Sequence, residues 1–156
     1  MGQEIERKFL VNETLWRAVQ PAGTEYRQGY IVNSKTKTVR VRIAGEQGYL
    51  TIKGATQGAT RAEFEHKIPL DDARGLLTLC EGPLIEKTRY KLEFDGLLWE
   101  VDEFSGDNAG LIMAELELDS EDQPFQKPDW VGREVTDDPR YYNANLVNNP
   151  YSRWSS

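Results

Sequence analysis

Glu4-Ile5-Glu6-Arg7-Lys8 stands near the front of the chain, and the direction its side chains face decides the fold. If residues 3–11 are extended, a period of two puts Glu4, Glu6 and Lys8 on one face and Ile5, Arg7 and Phe9 on the other. Two carboxylates and an ammonium then share one surface. Taken alone, such a surface reads as a solvated strand face, because charge patterns mostly lie outside.

Outward from this stretch the same pattern recurs. Extended segments are predicted at 26–32, 37–44, 49–53, 61–68, 85–94, 97–104 and 111–118, which makes eight with the first. Arg40 and Arg42 share a face opposite Val39, Val41 and Ile43. Lys53 follows Thr51 by two. Arg61, Glu63, Glu65 and Lys67 oppose Ala62, Phe64 and His66; Lys87, Arg89 and Lys91 oppose Thr88, Tyr90 and Leu92. Asp102 lies two residues beyond Glu100, and Glu115 and Glu117 oppose Ala114, Leu116 and Leu118. Asp95-Gly96 is the strongest hairpin signal in the chain. Helices are predicted after Asn12, with Leu15, Trp16 and Val19 and a stop at Pro21; after Leu70, through Leu76 and Cys80 with a stop at Gly82-Pro83; and from Asp138-Pro139 into 140–146.

Two architectures accommodate these faces. In an ordinary sandwich or ligand-binding barrel the apolar faces point inward. In the inverse arrangement eight antiparallel strands close around a charged interior, and helices with apolar sides cover the outside. Alternation leaves both open.

Composition narrows the chemistry. The 156 residues suit one domain over 1–156, and the net charge of −7 argues against a nucleic-acid or membrane-surface binder. Cys80 and His66 are the only residues of their kinds, which excludes disulfides within the chain, cysteine zinc sites, histidine metal clusters and most nucleophilic triads. There is no membrane-length apolar run and no signal peptide, so a soluble cytoplasmic protein is expected. A closed interior of this composition needs partners for its charges. A polyanion with hard divalent cations matches both signs, since arginine forks and lysines meet phosphate oxygens while carboxylates hold Mg²⁺ or Mn²⁺. His66 and Cys80 read as packing or surface residues, and Trp16, Trp99 and Trp130 as packing residues.

The motifs Glu4-x-Glu6-x-Lys8, Arg40-x-Arg42, Thr51-x-Lys53-Gly54, Glu63-x-Glu65, Lys87-x-Arg89-Tyr90, Asp102 and Glu115-x-Glu117, with Glu134-Val135-Thr136 and Pro139-Arg140-Tyr141-Tyr142-Asn143 behind them, resemble in this order the CYTH superfamily, the triphosphate tunnel metalloenzymes. The resemblance covers nearly the whole chain. It implies a mainly β fold, an eight-stranded closed antiparallel tunnel with a charged interior and a few helices outside. It is similar above all to the short bacterial members that hydrolyse inorganic triphosphate; a hydrolase of thiamine triphosphate or a nucleoside triphosphate, an adenylyl cyclase, and a non-catalytic polyphosphate sensor are the alternatives. By the same resemblance Lys8, Arg40, Arg42, Lys53, Lys87 and Arg89, with Arg61, would grip phosphate. Glu4, Glu6, Glu63, Glu65, Asp102, Glu115 and Glu117 would hold or orient two Mg²⁺ or Mn²⁺ ions. Glu4, Glu6, Lys8, Lys87, Glu115 and Glu117 would be the catalytic set. No stable nucleic-acid complex is expected; related members are often homodimers, which the sequence itself leaves open.

Overall fold

A computed structural model describes residues 2–154. In chain order it has β1 (Gln3–Val11), α1 (Glu13–Val19), β2 (Gly23–Asn33), β3 (Lys37–Ala44), β4 (Gln47–Gly54), β5 (Thr60–Ile68) and α2 (Leu70–Leu77). These are followed by β6 (Glu81–Phe94), β7 (Leu97–Phe104), β8 (Ile112–Glu117), β9 (Val131–Glu134) and α3 (Asn143–Leu146). The sheet order is β5-β4-β3-β2-β6-β7-β8-β1-β9, and a further β5–β1 pairing closes the first eight strands into an antiparallel barrel.

β1 is the closing strand, and it divides one edge between two partners. Gln3, Glu4 and Ile5 pair with β5, while Phe9 and Val11 pair with β9; the opposite edge pairs with β8. Between the two partners the edge is still satisfied. Glu6 N donates to Ala59 O (3.0 Å), Val135 N donates to Lys8 O (2.8 Å), and Lys8 N donates to Thr136 Oγ1 (3.0 Å). Glu134 is in turn held by Arg7, whose Nε and Nη2 lie 2.8 and 2.6 Å from its carboxylate oxygens. No backbone donor at residues 6 or 8 of the seam is left without an acceptor, as a buried edge requires.

Outside the barrel the apolar strand faces form two clusters. Phe9, Tyr90, Trp99, Val101, Ala114 and Leu116 pack with Trp16 and Trp130, where Trp16 and Trp130 meet edge-on with centroids 4.8 Å apart. Val41, with Ile43 and Leu50, packs under Ala73 and Leu77 of α2. Each such large side chain stabilises the fold by about 1.5–3 kcal/mol through burial. The cover is incomplete, because Ile52 and Phe64 on the outer face of β4 and β5 remain 41% and 54% exposed. On α1 only Trp16 is buried, while Leu15 and Val19 face solvent.

A third cluster lies on the inside. Tyr30, Ile85, Phe104 and Met113 share the inward parity of Gln28, Lys87, Asp102 and Glu115, and they pack with Val135, Tyr141, Leu146 and Val147. The interior therefore turns apolar at one end, and the tail plugs it.

The elements depart from the sequence expectation at four places. α2 ends at Leu77, and Gly82-Pro83 belongs to β6, beside a register shift against β2 where Gly82 takes φ +74°. β9 was not foreseen. The tail helix breaks into a 3-10 turn, Pro139–Tyr141, capped by Asp138, and the four-residue α3, because Tyr142 between them is extended. Lys67 shares the strand parity of Arg61, Glu63 and Glu65 but is exposed and lies outside the cavity lining. The Asp95-Gly96 hairpin is present, with both residues at positive φ (52° and 78°), as a two-residue turn of that hand requires. Among the described residues no helix is long and apolar enough to cross a membrane.

Candidate active site

The charged strand faces point inward. They line a cavity of about 780 Å³ that runs from the interior to the β2–β3 turn and the β4–β5 loop. Glu4, Glu6 and Lys8 of β1 are on its wall, so the opening stretch faces in, with Phe9 on the apolar outside. Arg40, Arg42, Lys53, Arg61, Glu63, Glu65, Lys87, Arg89, Glu115 and Glu117 share the wall, together with Tyr30 and Lys91. Asp102 is brought to the same region but sits behind the surface at 1% exposure.

Nearly every buried cation has an acidic partner. Lys8 Nζ donates to Glu115 and, at 3.1 Å, to Glu6. Lys53 Nζ donates to both oxygens of Glu4 (3.0 and 3.2 Å), and Arg61 Nε reaches Glu4 at 3.3 Å. Asp102 takes Lys87 Nζ at 2.7 Å and a two-pronged Arg89 contact at 2.8 Å on each oxygen. Arg42 differs. Among the described residues no carboxylate lies within ion-pair distance of it; its Nε donates to Gln28 Oε1 at 2.9 Å, and its guanidinium lies 4.9 Å from the Tyr26 ring. Arg89 lies equally close to Tyr26. Arg40 Nε is buried with no acceptor at all, although the same side chain reaches Thr51 Oγ1 and Glu65. A wall with idle guanidinium donors has room for an anion.

The carboxylates show the opposite shortfall. Burial, with the charges of Glu115 and Glu4, raises the Glu6 carboxyl to about 7 against the pull of Lys8 and Lys53. Burial and the charges of Glu4 and Glu63 raise Glu117; burial and Glu4 raise Glu63. By contrast burial of Glu4 is outweighed by Lys53 and Arg61, which hold it at about 2, and burial of Glu115 by Lys8 and Arg89, which hold it well below the usual range. Glu6, Glu63 and Glu117 are thus carboxyls whose negative charge the protein's own cations balance only in part. Their donors are all carboxylate oxygens, the set that suits hard divalent ions. Among the described residues no three acidic side chains gather around one point, because Lys8 and Lys53 draw Glu115, Glu6 and Glu4 onto themselves. In charge and donor type the residues fit a divalent cation; in the arrangement described, lysine ammoniums hold part of that place.

Three contributors escape a reading based on charge. Gln28 has the inward parity of Tyr26 and Tyr30 and is wholly buried against Arg42. Asn143 enters from the tail, where its Oδ1 accepts from Lys87 Nζ at 2.9 Å. Tyr26 lies beside two arginines. For Gln28 and Tyr26 the usable signal was position, two neutral residues on an inward strand face.

The CYTH domain family model matches residues 2–145. The chain belongs to the CYTH domain family. Two curated relatives, each named inorganic triphosphatase, come from Acetivibrio thermocellus (54% identical, covering 99% of both chains) and Nitrosomonas europaea (39% identical, covering 92% of this chain and 96% of that one). A crystal structure described as that of an inorganic triphosphatase superposes with a TM-score of 0.64 at 36% identity, covering 92% of this chain and 96% of that one. CYTH membership implies dependence on a metal ion, in keeping with the unbalanced carboxylates. It also accounts for two motifs that carry no cavity charge: Glu134-Val135-Thr136 closes the β1 seam, and residues 139–143 form the plug and deliver Asn143.

Proposed function

We propose that this CYTH protein hydrolyses inorganic triphosphate to pyrophosphate and phosphate in a metal-dependent reaction, working as one domain over 1–156. One observation carries the reading. A single cavity holds guanidinium donors not met by an anion, on Arg40 Nε and on Arg42, and carboxylates whose charge the neighbouring lysines balance only in part or not at all, on Glu6, Glu63 and Glu117. A metal–triphosphate meets both needs, and the relatives named inorganic triphosphatases support the choice of substrate.

In this reading Lys8, Arg40, Arg42, Lys53, Lys87 and Arg89, with Arg61 at the rim, take phosphate oxygens. Glu4, Glu6, Glu63, Glu65, Glu115 and Glu117 would hold two ions, Mg²⁺ or Mn²⁺. When bound, such ions neutralise the leaving phosphate and lower the pKa of the attacking water. The chain supplies the rest by positioning and charge, which phosphoryl transfer chiefly requires. Lys8 and Lys53 serve both partners: phosphate would take up their ammoniums and so free the carboxylates of Glu6, Glu115 and Glu4. Asp102, with both oxygens engaged by Lys87 and Arg89, positions those two cations and takes no ion.

Phosphate release from inorganic triphosphate, ATP, pyrophosphate and thiamine triphosphate, with Mg²⁺ or Mn²⁺, tests this. Triphosphate is expected to be favoured by roughly tenfold or more in kcat/KM, with EDTA stopping the reaction. Faster turnover of ATP or thiamine triphosphate, or cyclic AMP as a product, would overturn the substrate. Absence of turnover would leave an anion-binding protein.

A further inference from the structure

Arg42 and Lys87 are joined by a chain of two neutral amides. Arg42 Nε donates to Gln28 Oε1 (2.9 Å), Gln28 Nε2 donates to Asn143 Oδ1 (3.3 Å), and Lys87 Nζ donates to the same Oδ1 (2.9 Å). The two ends dictate how the amides lie. A guanidinium and an ammonium only donate, so Gln28 must turn its oxygen to Arg42 and Asn143 its oxygen to Lys87. That leaves the Gln28 NH₂ facing Asn143 Oδ1, and the chain closes with every polarity matched. Asn143 Nδ2 has no protein acceptor among the described residues, and Asn143 lines the cavity.

The chemistry of the link separates it from the rest of the wall. Lys8, Lys53, Arg61, Arg89 and, through Asp102, Lys87 itself are held by carboxylates, which fix a cation's position and cancel its charge, whereas Arg42 is held by an amide. An amide oxygen fixes the position without cancelling the charge. Among the described residues Arg42 has no other hydrogen-bond acceptor, and it lines the cavity with its two terminal nitrogens unengaged. The link also crosses between separate parts of the chain, since Gln28 is on β2 and Asn143 on the tail helix that plugs the barrel.

We propose that Gln28 and Asn143 are positioning residues, a neutral clamp that aims Arg42 at the phosphate chain while leaving its positive charge available to it, that steadies Lys87 beside its Asp102 partner, and that makes the tail part of the substrate grip. The inference rests on the triphosphate reading above.

The discriminating variants are Gln28→Glu, which places a carboxylate where Arg42 now meets an amide, and Gln28→Met, which removes the hydrogen bonds and adds no charge; Asn143→Asp and Asn143→Ala form a second pair at a less buried position. Calorimetric binding of inorganic triphosphate without metal, together with KM and kcat with Mg²⁺, gives the readout. Gln28→Glu and Asn143→Asp are expected to weaken binding and raise KM by roughly tenfold, about 1.4 kcal/mol, with kcat changed by less than about threefold and Tm not lowered. Gln28→Met and Asn143→Ala should weaken binding by only about two- to threefold. Equal losses in the charged and uncharged variants, or unchanged binding with a lower kcat, would overturn the clamp. If the wild type binds triphosphate and does not hydrolyse it, the functional reading fails, and the binding comparison still decides the clamp.

Discussion

Glu6→Gln is expected to lower triphosphate turnover on the order of 10²–10³-fold, as loss of one preorganised charge in a hydrolytic site does, while leaving the metal-free fold as stable as the wild type or more so. The two effects have one origin. Glu6 faces the cavity, shares Lys8 with Glu115, and is raised from 4.5 to about 7 by burial and by the charges of Glu115 and Glu4. A carboxyl whose folded pKa lies above its unfolded value holds its proton more tightly when folded. Its contribution is therefore present at low pH and is lost as the pH rises from about 4.5 through about 7. Gln has the same shape and never acquires the charge, so at pH 8 it escapes that cost, and Lys8 keeps Glu115. Thermal unfolding in EDTA at pH 5 and pH 8, beside a Mg²⁺-dependent rate assay, checks both halves. A Tm several degrees below wild type at pH 8 would make Glu6 a structural partner of Lys8, and an unchanged rate would remove it from the ion-holding set.

That opposition between function and stability also explains which parts of the molecule were legible in the sequence. Arg40-x-Arg42 and Glu115-x-Glu117 could be placed on one wall because a strand's period of two is visible in any charged face. Which way the wall faced was not visible, since alternation is symmetric; it took the helices, Trp16 and Trp130 to show that the apolar side was the outside. β9 was missed because four residues, Val131–Glu134, following Pro128 carry too little periodicity, and what makes them a strand is the free edge of β1 at Phe9 and Val11. Gly82-Pro83 read as a helix stop because local chemistry favours that, whereas its context is the register shift opposite Tyr30. Gln28 and Asn143 were missed for a related reason. A neutral amide becomes informative only once its partners are known to be a buried arginine and a buried lysine from distant parts of the chain.

Asp102→Asn is expected to cost about 3 kcal/mol of stability, the lower end of the range for breaking a buried ion pair because the adjoining cavity admits water. For a chain of this size that lowers Tm by roughly 6–12 °C. Among the described residues Asp102 is the sole carboxylate contact of Lys87, and it is the two-pronged partner of Arg89; asparagine keeps its volume while withdrawing its charge. Burial opposes the ionised form of Asp102, but Arg89 and Lys87 outweigh it and hold its pKa at about 2, against 3.8 for the free side chain. A depressed carboxylate stabilises the fold above its unfolded pKa, and that contribution is lost as the pH falls from about 4 through about 2. Part of the wild type's acid unfolding is therefore the protonation of Asp102, and the variant should show a shallower fall over that range. Lys87 responds in the opposite sense. It already titrates near 7, because burial, Arg89 and Arg42 lower it against the pull of Asp102, and without Asp102 it goes lower still and is uncharged at neutral pH. In the wild type triphosphate binding should therefore strengthen as the pH is lowered from 8 to 6 and Lys87 gains its proton, and in Asp102→Asn that gain should move to lower pH. Calorimetry across that range, with thermal unfolding from pH 2 to 8, measures both; binding that weakens with acid, or a Tm within about 2 °C of wild type at neutral pH, would show that Glu100, Glu115 and Asn143 suffice to hold Arg89 and Lys87 in place.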